Sequence, residues 1–349
     1  MRGRWMTAHI RWSALVSTEV EEFERVEPET EMDEPEEHGS VVVGIDGSTA
    51  SLNAVRWAAR EASAMHAPLR IVHVAPYRDP DPVFGAPDLD RDYGENALIE
   101  AAAAAVEAPD YPIIEPKYIQ GNPVSVLRQE ASAATMLVIG SVGIGILGSL
   151  VLGSTAAELA ATAPCRVVVV KSHHLEHRSA TTVATDTQPV VAVLTGAEDT
   201  WLEWDSIVAA ATRAARLRDA SVVVASSDDI DGPGGAGELS SRIDQWQKQV
   251  PGVRIDSVSQ KGDLPGLALS LSQAAQLIVV GPPEHDRSSR LGIIGRTVHV
   301  LLHKSDSPVM IVRSNSRPEV PTSVPNVSRA KVIDYGPSAL SNPSQLRRS

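Results

Sequence analysis

Residues 136–156 form the stretch of this sequence whose residue types most clearly suggest chemistry. A short apolar run ends at Gly140, a glycine-rich loop follows, and Gly153-Ser154 opens a helical pattern of small and apolar residues. A loop between a strand and a helix offers backbone N–H groups, and the helix start adds unpaired donors and the positive end of its dipole. Glycines let a phosphate approach that backbone closely. The pattern therefore predicts a nucleotide site.

The elements around this stretch alternate between strand and helix. Asp46-Gly47-Ser48 follows the first apolar run, and Ser48 can cap the helix that comes next. Five strands that alternate with four helices are typical of a parallel sheet covered by helices. The predicted strands are short runs rich in Val and Ile, at 41–45, 69–74, 113–119, 136–139 and 166–170.

The same order of elements repeats in the second half of the chain, from Val190 to Val312, which indicates a duplication. The predicted fold class is α/β, with two tandem three-layer domains that each contain a five-stranded parallel sheet flanked by helices. The predicted segments are a disordered acidic arm (1–38), a first domain (39–171), a linker (172–188), a second domain (189–313) and a disordered tail (314–349).

Composition excludes several classes of function. The net charge of the 349 residues is −13, and residues 17–38, with eleven acidic side chains and one basic side chain, carry −10 of it. The remainder is close to neutral and offers no basic face for nucleic acid. A single cysteine excludes an intrachain disulfide, and no apolar run reaches the roughly 18 residues of a membrane span. Without a signal-peptide pattern, we expect a cytoplasmic protein with no membrane partner.

A dinucleotide site is an alternative interpretation of the glycine loop, because Gly143, Gly145 and Gly148 satisfy the G-x-G-x-x-G pattern. That pattern belongs directly after the first strand, with an acidic residue about 20 residues further on. Here it follows the fourth strand, and residues 163–170 contain no carboxylate. A P-loop is also excluded, since no Gly-Lys-Ser/Thr ends the loop.

The longer pattern, Gly-x2-Gly-x9-Gly-Ser from Gly140 to Ser154, is more specific. Together with the Asp-Gly-Ser turn and the duplication, it resembles the universal stress protein family in its tandem form, over residues 39–313. The resemblance implies a fold like that of the adenine nucleotide alpha-hydrolases. It also implies that the chain binds ATP, with or without Mg²⁺.

The resemblance also implies which residues bind the nucleotide. Asp46 would lie beside the adenosine, and Val74 would meet the adenine through its backbone. Ser48 and Ile139 complete the predicted site around these two. No catalytic residue and no metal-ligand set is predicted. The residues that would hold the phosphates and the ribose are Gly140, Gly143, Gly153, Ser154 and Thr155.

The second half departs from the motif at the positions that matter. Thr195 stands where the first half has Asp46, and Gly-Pro-Pro-Glu from Gly281 to Glu284 replaces Gly-x2-Gly. A carboxylate beside a triphosphate is costly in a partly desolvated site. We therefore expect one ATP per chain and a degenerate second domain, which packs on the first as a pseudo-dimer.

The function implied by the resemblance is a nucleotide-dependent regulatory role in the stress response. The sequence shows no general base over the phosphates, which favours binding over turnover. Two alternatives stay open, a slow ATP-hydrolysing enzyme and an interaction scaffold that binds no nucleotide. A homodimer of whole chains is a further alternative.

Overall fold

A computed structural model describes residues 39–77, 89–141, 152–171, 188–195, 201–227, 235–282 and 295–313. These ranges contain ten strands and eight helices, which alternate along the chain. The predicted α/β class is thus confirmed. The predicted acidic arm, the C-terminal tail and nearly all of the predicted linker lie outside the described residues.

The strands are short and largely buried, except for the two at the edges of the sheet, in agreement with the Val- and Ile-rich sequences of the inner strands. In the first half they are β1 (Ser40–Ile45), β2 (Leu69–Ala75), β3 (Ile114–Gln120), β4 (Ala134–Gly140) and β5 (Arg166–Val170). In the second half they are β6 (Val190–Val193), β7 (Val222–Ser227), β8 (Ile255–Gln260), β9 (Leu277–Val280) and β10 (Val309–Ile311).

The helices connect successive strands. The first half contains α1 (Thr49–Ala64), α2 (Leu89–Val106), α3 (Pro123–Ala131) and α4 (Ser154–Thr162). The second half contains α5 (Trp201–Arg216), α6 (Gly235–Gln249), α7 (Leu264–Ser272) and α8 (Arg296–Lys304). Helix α2 has Asp90 and Asp92 in its first turn, where carboxylates complement the helix dipole.

All ten strands form one sheet, in the order β3-β2-β1-β4-β5-β10-β9-β6-β7-β8. Every neighbouring pair within a half is parallel, and the two halves join through the antiparallel pair β5–β10. Val168 pairs with Met310, and the pairs on either side of it are related by a local twofold rotation. The duplication is therefore a symmetric, edge-to-edge continuation of one sheet.

The helices cover both faces of this sheet and bury two apolar clusters that each extend across the join. One cluster contains residues of α1, α2 and α5 together with Val41 and Val43. The other contains residues of α3, α4, α7 and α8 together with Val42. Alternate strand residues thus point to opposite faces, as a doubly covered sheet requires.

Polar contacts also tie the halves together at their twofold-related helix ends. Lys171, just after β5, donates from Nζ to the carbonyl oxygen of His303 at 2.5 Å. Arg313, just after β10, donates to the carbonyl oxygen of Ala160 at 2.9 Å. Each cation thus satisfies an unpaired carbonyl at the C-terminal end of a helix from the other half.

A buried ion pair adds a contact that does not obey the twofold symmetry. The Arg218 guanidinium lies 2.5 Å from the Glu61 carboxylate, and both side chains are largely buried. The same guanidinium lies over the ring of Trp57. His66 and Asp219 both have positive φ and end equivalent turns, which aligns the two halves. By this alignment Ala214 corresponds to Glu61 and Met65 corresponds to Arg218, so the symmetry-related ion pair does not exist.

Among the described residues, no helix combines the length and the apolar character that crossing a bilayer requires.

Candidate functional site

The first half contains a cleft of about 370 Å³ at the carboxyl ends of β1, β2 and β4. Strand β1 lies between β2 and β4, so the chain leaves it toward β2 and returns on its other side at β4. In open α/β sheets, ligands bind where the strand order reverses in this way. The position of the cleft thus follows from the topology.

Apolar side chains form one wall of this cleft. Val74 lies near the end of β2, Ile139 lies near the end of β4, and Leu127 projects from α3. A side chain on Gly44 would place its Cβ 2.8 Å from a methyl carbon of Leu127. The glycine therefore lets α3 approach β1, and the wall can pack against a flat apolar group.

Asp46 occupies the turn between β1 and α1. Its Oδ1 accepts hydrogen bonds from the backbone N–H of Ser48 at 3.0 Å and from the Ser48 hydroxyl at 2.6 Å. The Ser48 hydroxyl in turn accepts from the N–H of Ser51 and caps α1. The carboxylate is thus held in one orientation at the rim of the cleft.

An aromatic group supports this turn from behind. The Tyr93 hydroxyl donates to the carbonyl oxygen of Asp46 at 2.8 Å, and Tyr93 meets the His73 ring edge to face. Gly47 has φ of +80°, and a side chain there would collide with the Tyr93 hydroxyl. Burial lowers the pKa of His73, only partly offset by a hydrogen bond to the Ile45 backbone and by the Asp46 charge. The imidazole therefore stays neutral at pH 7.

The start of α4 forms the opposite side of the cleft. Gly153 is its N-cap, and no side chain caps the first turn. The N–H of Gly153 donates to the Ser141 carbonyl oxygen at 2.8 Å, which fixes the entry to the helix. The first-turn N–H groups of Ser154 and Thr155 have no partner within the helix. These groups and the helix dipole give this side of the cleft a positive potential.

Gly140 has a packing role in addition to any role toward a ligand. A Cβ on this residue would lie 2.8 Å from the carbonyl carbon of Ala50 and 2.9 Å from the nitrogen of Ser51. Both are backbone atoms in the first turn of α1, which cannot move aside easily. Glycine at the end of β4 is therefore required by the close approach of α1.

The structure brings together seven of the nine residues that the sequence predicts for the site. Ser48 is not among the residues that line the cleft and acts on Asp46 instead, and Gly143 lies outside the described residues. The residues that line the cleft as predicted are Asp46, Val74, Ile139, Gly140, Gly153, Ser154 and Thr155.

Sequence reasoning missed the contribution of α3, from which Pro123 and Leu127 line the cleft. Asn122 caps this helix by accepting from the N–H of Ser125 at 3.1 Å, and Pro123 fits its first position. The Asn-Pro signal was available in the sequence. Its position after β3, whose carboxyl end lies at the same edge of the sheet, could have placed α3 at the site.

A carboxylate lies beside the glycine that corresponds to Gly140 in the second half. The Glu203 side chain of α5 lies against Gly281, which follows β9 as Gly140 ends β4, and a Cβ on Gly281 would overlap its Oε1. Thr195, the counterpart of Asp46, accepts a hydrogen bond from the Trp204 indole through its carbonyl oxygen at 3.1 Å. Glu284 lies outside the described residues.

Comparison with known proteins identifies the family. The pattern of the Universal stress protein family matches residues 38–171. Universal stress protein Rv2624c of Mycobacterium tuberculosis is 31% identical over 279 residues, which cover 78% of this chain and 96% of that protein. The chain belongs to the universal stress protein family. The resemblance inferred from the glycine pattern and the duplication is thereby confirmed.

Further similarities agree with this assignment. Universal stress protein Rv3134c of Mycobacterium tuberculosis is 34% identical over 229 residues, which cover 64% of this chain and 81% of that protein. A crystal structure of a universal stress protein from Archaeoglobus fulgidus superimposes with a TM-score of 0.61 at 15% identity, and covers 80% of this chain and 99% of that one. This similarity shows that the two proteins share a fold.

Proposed function

We propose that this universal stress protein binds one ATP in the first-half cleft and acts as a nucleotide-dependent regulator in the cytoplasmic stress response. The observation that carries the proposal is the convergence of seven predicted residues, from four separate segments of the chain, around one cleft. If these residues only shaped the glycine-rich loop, they would have no reason to face the same cleft.

The adenine ring fits the apolar side of the cleft. Val74, Leu127 and Ile139 offer a surface for its flat faces, and the backbone at the end of β2 offers hydrogen-bonding groups to its edge. Asp46 lies at the rim, where a carboxylate accepts hydrogen bonds from the adenosine. The two hydrogen bonds from Ser48 orient this acceptor in advance.

The phosphates fit the start of α4. Its first-turn N–H groups and the positive end of its dipole favour an anion, and Gly153 leaves the backbone accessible. The hydroxyls of Ser154 and Thr155 can donate to phosphate oxygens or face a Mg²⁺ ion held by the phosphates. The described residues contain no group of three or more metal-ligating side chains.

Binding without rapid turnover is the mode that the cleft supports. Asp46 is the one titratable side chain among the described residues that line it. Hydrolysis of ATP requires a group that positions the attacking water and groups that stabilise charge on the transferred phosphate. One carboxylate that is already engaged by Ser48 supplies little of this.

The experiment compares two matched variants, Thr155→Glu in α4 and Thr297→Glu in α8. Both residues occupy the second position of equivalent helices, where an added carboxylate is favourable for the helix dipole. Only Thr155 lines the cleft. We expect calorimetry to give one ATP per wild-type chain, at least about a 30-fold loss of affinity in Thr155→Glu, and unchanged affinity in Thr297→Glu.

Mass spectrometry of small molecules released from the denatured, purified protein separates the alternatives. ATP in a ratio of one per chain supports the proposal. Absence of any adenine nucleotide, together with no heat of binding, would favour an interaction scaffold. Release of ADP over many turnovers would favour an enzyme, and full ATP affinity in Thr155→Glu would place the site elsewhere.

A further inference from the structure

A second recess, the α5/α6 groove, lies on the outer side of the second half and has a volume of about 490 Å³. It is larger than the first-half cleft and lies apart from the strand ends. Volumes of this size are typical of sites for small organic ligands. Nothing in the nucleotide proposal uses this groove.

The equivalent helices of the first half pack more closely than α5 and α6. Helices α1 and α2 pack closely there, because α2 contributes a series of buried alanines that includes Ala101 and Ala105. Helix α6 instead buries the large ring of Trp246, and α5 and α6 do not approach each other to the same extent. The small alanines of α2 thus let it lie close to α1, whereas the large Trp246 ring of α6 keeps that helix further from α5.

In the first half, two polar contacts join α1 to the residues that follow α2. The second half has no counterpart of either at the equivalent described positions. Arg56 of α1 forms an ion pair with Glu107 at 2.9 Å, and the Ser63 hydroxyl donates to the Asp110 carbonyl oxygen at 2.6 Å. The equivalent positions in α5 carry Ala209 and Arg216, as the matching helix ends show. A small side chain at the first position leaves the middle of the groove open.

The floor and walls of the groove are mainly apolar. Val208 is buried, Ala209 is exposed in the middle, and Leu217 and Val250 lie at the C-terminal ends of the two helices. The Trp246 ring is fixed by a hydrogen bond of 2.8 Å from its Nε1 to Asp205. An aliphatic or aromatic group can pack here without displacing a protein side chain.

The two ends of the groove differ in charge. At one end Asp205 is neutralised by an ion pair with Arg242 in addition to the indole hydrogen bond. At the other end Arg213 and Arg216 are exposed, and neither forms an ion pair with any of the described residues. From Asp205 to Arg216 the helix rises by roughly 16 Å. The groove is therefore apolar along its length and cationic at one end.

The cations at that end lie close to a further cation, Arg166 on strand β5. Burial, followed by repulsion from Arg213, lowers the pKa of Arg166, and the interactions with Cys165 and Glu61 only partly offset this. In the first half, Arg60 is the equivalent of Arg213, and it faces the carboxylate of Glu107. The second half thus keeps this cation, and the described residues that line this end of the groove include no carboxylate.

We propose that the α5/α6 groove binds an amphipathic organic monoanion. The carboxylate of the ligand pairs with Arg213 and Arg216, and its hydrocarbon body packs over Ala209, Leu217 and Val250. A medium-chain fatty carboxylate has this combination of one charge and an apolar body. The site is separate from the proposed nucleotide site and does not depend on it.

The test titrates the full chain with sodium decanoate by isothermal calorimetry. We expect one site per wild-type chain, at least about a tenfold loss of affinity in Arg213→Ala/Arg216→Ala, and no change in the control Arg60→Ala on α1. Decanol, which has the same hydrocarbon body without the charge, should bind at least tenfold more weakly. Equal binding of decanol and decanoate, or no saturable decanoate binding, would overturn the proposal.

A second variant fills the groove without removing charge. Ala209→Trp adds a large side chain at an exposed helix position, so circular dichroism should show an unchanged fold. We expect it to abolish decanoate binding and to leave the affinity for ATP unchanged. Decanoate affinity equal to wild type in this variant would show that the ligand binds elsewhere. Because ATP affinity is measured on the same samples, failure of this site and failure of the nucleotide site are distinguished.

Discussion

The two halves of the chain share a skeleton and differ in the surfaces built on it. The strand order of the first half, β3-β2-β1-β4-β5, is repeated in the second as β8-β7-β6-β9-β10. Even the caps of α3 and α7 match, since Asn122 and Asp263 each accept a hydrogen bond from the third helical N–H. The pattern of buried residues and the helix caps are thus shared by both halves and maintain the fold, while the residues at the strand ends differ.

One pair of contacting residues beside the cleft shows how the two halves differ in sequence and still fill the same volume. Gly44 of β1 lies against Leu127 of α3, so at this contact the strand carries the small residue and the helix carries the large one. At the equivalent positions the second half has Val193 and Ala268, and both are fully buried. Exchanging the small and large residues keeps the total volume, which cores tolerate, and changes the shape at the strand ends.

The largest expected effect comes from the buried ion pair of Glu61 with Arg218, which joins the halves and which the twofold symmetry does not repeat. Glu61→Ala leaves the Arg218 guanidinium buried near Trp57 without its carboxylate, and we expect a loss of about 3 kcal/mol in the free energy of unfolding. Urea denaturation measures it. The double variant Glu61→Ala/Arg218→Met, which copies the pair Ala214 and Met65, should recover most of the loss. A cost below about 1 kcal/mol for the single variant would contradict this account.

The two glycines that end β4 and follow β9 should respond differently to the same substitution. Gly140→Ala forces a Cβ against backbone atoms of α1, and we expect it to destabilise the protein by about 1–3 kcal/mol. Gly281→Ala meets the end of the Glu203 side chain, which can rotate away, so its cost should stay below about 1 kcal/mol. Thermal and urea unfolding of both variants check the difference, and equal costs would show that the two sites are equally tight.

The smallest effect concerns the two cations that cap helices across the join. Burial lowers the pKa of Lys171 to about 8, and the Asp306 charge only partly offsets this. Between pH 8 and the ordinary lysine pKa of about 10.4, the unfolded chain binds more protons than the folded chain, so the Lys171 contribution to stability rises with pH. Lys171→Arg, which copies Arg313, keeps its charge throughout this window. Relative to that variant, wild type should gain on the order of 1–2 kcal/mol from pH 8 to 10.5, reduced by the partial exposure of Lys171.

The control for this measurement is Lys304→Arg, which replaces an exposed lysine at the end of α8. Its stability relative to wild type should not vary over the same pH range. The remaining titratable groups are the same in all three proteins, so their effect cancels in the differences. A flat difference for Lys171→Arg would show that Lys171 is solvated in the folded protein.

Much of the fold could be predicted because its signals are local. Runs of Val and Ile, helices with small residues and the repeated order of elements give the strand and helix sequence directly. The join between the halves could not be predicted in this way. β5 and β10 are both short buried strands, and nothing in either sequence specifies that Val168 pairs with Met310.

The candidate site was predictable to the extent that it follows from strand ends. Asp46, Val74 and Ile139 lie at or just after the carboxyl ends of three strands, and Gly153 starts the helix that faces them. Leu127 was missed because its role depends on α3 crossing above Gly44. Glu203 was missed for a similar reason, since the contact with Gly281 joins residues far apart in sequence.

The sequence by itself determined the α/β class, the duplication, the family and the first-half motif, because each follows from the spacing of glycines and apolar residues. Only the tertiary structure decided that the halves share one sheet, that Glu203 lies against Gly281, and that a groove opens between α5 and α6. Local spacing fixes backbone conformation, whereas these features depend on which distant side chains meet once the strands have paired and the helices have packed.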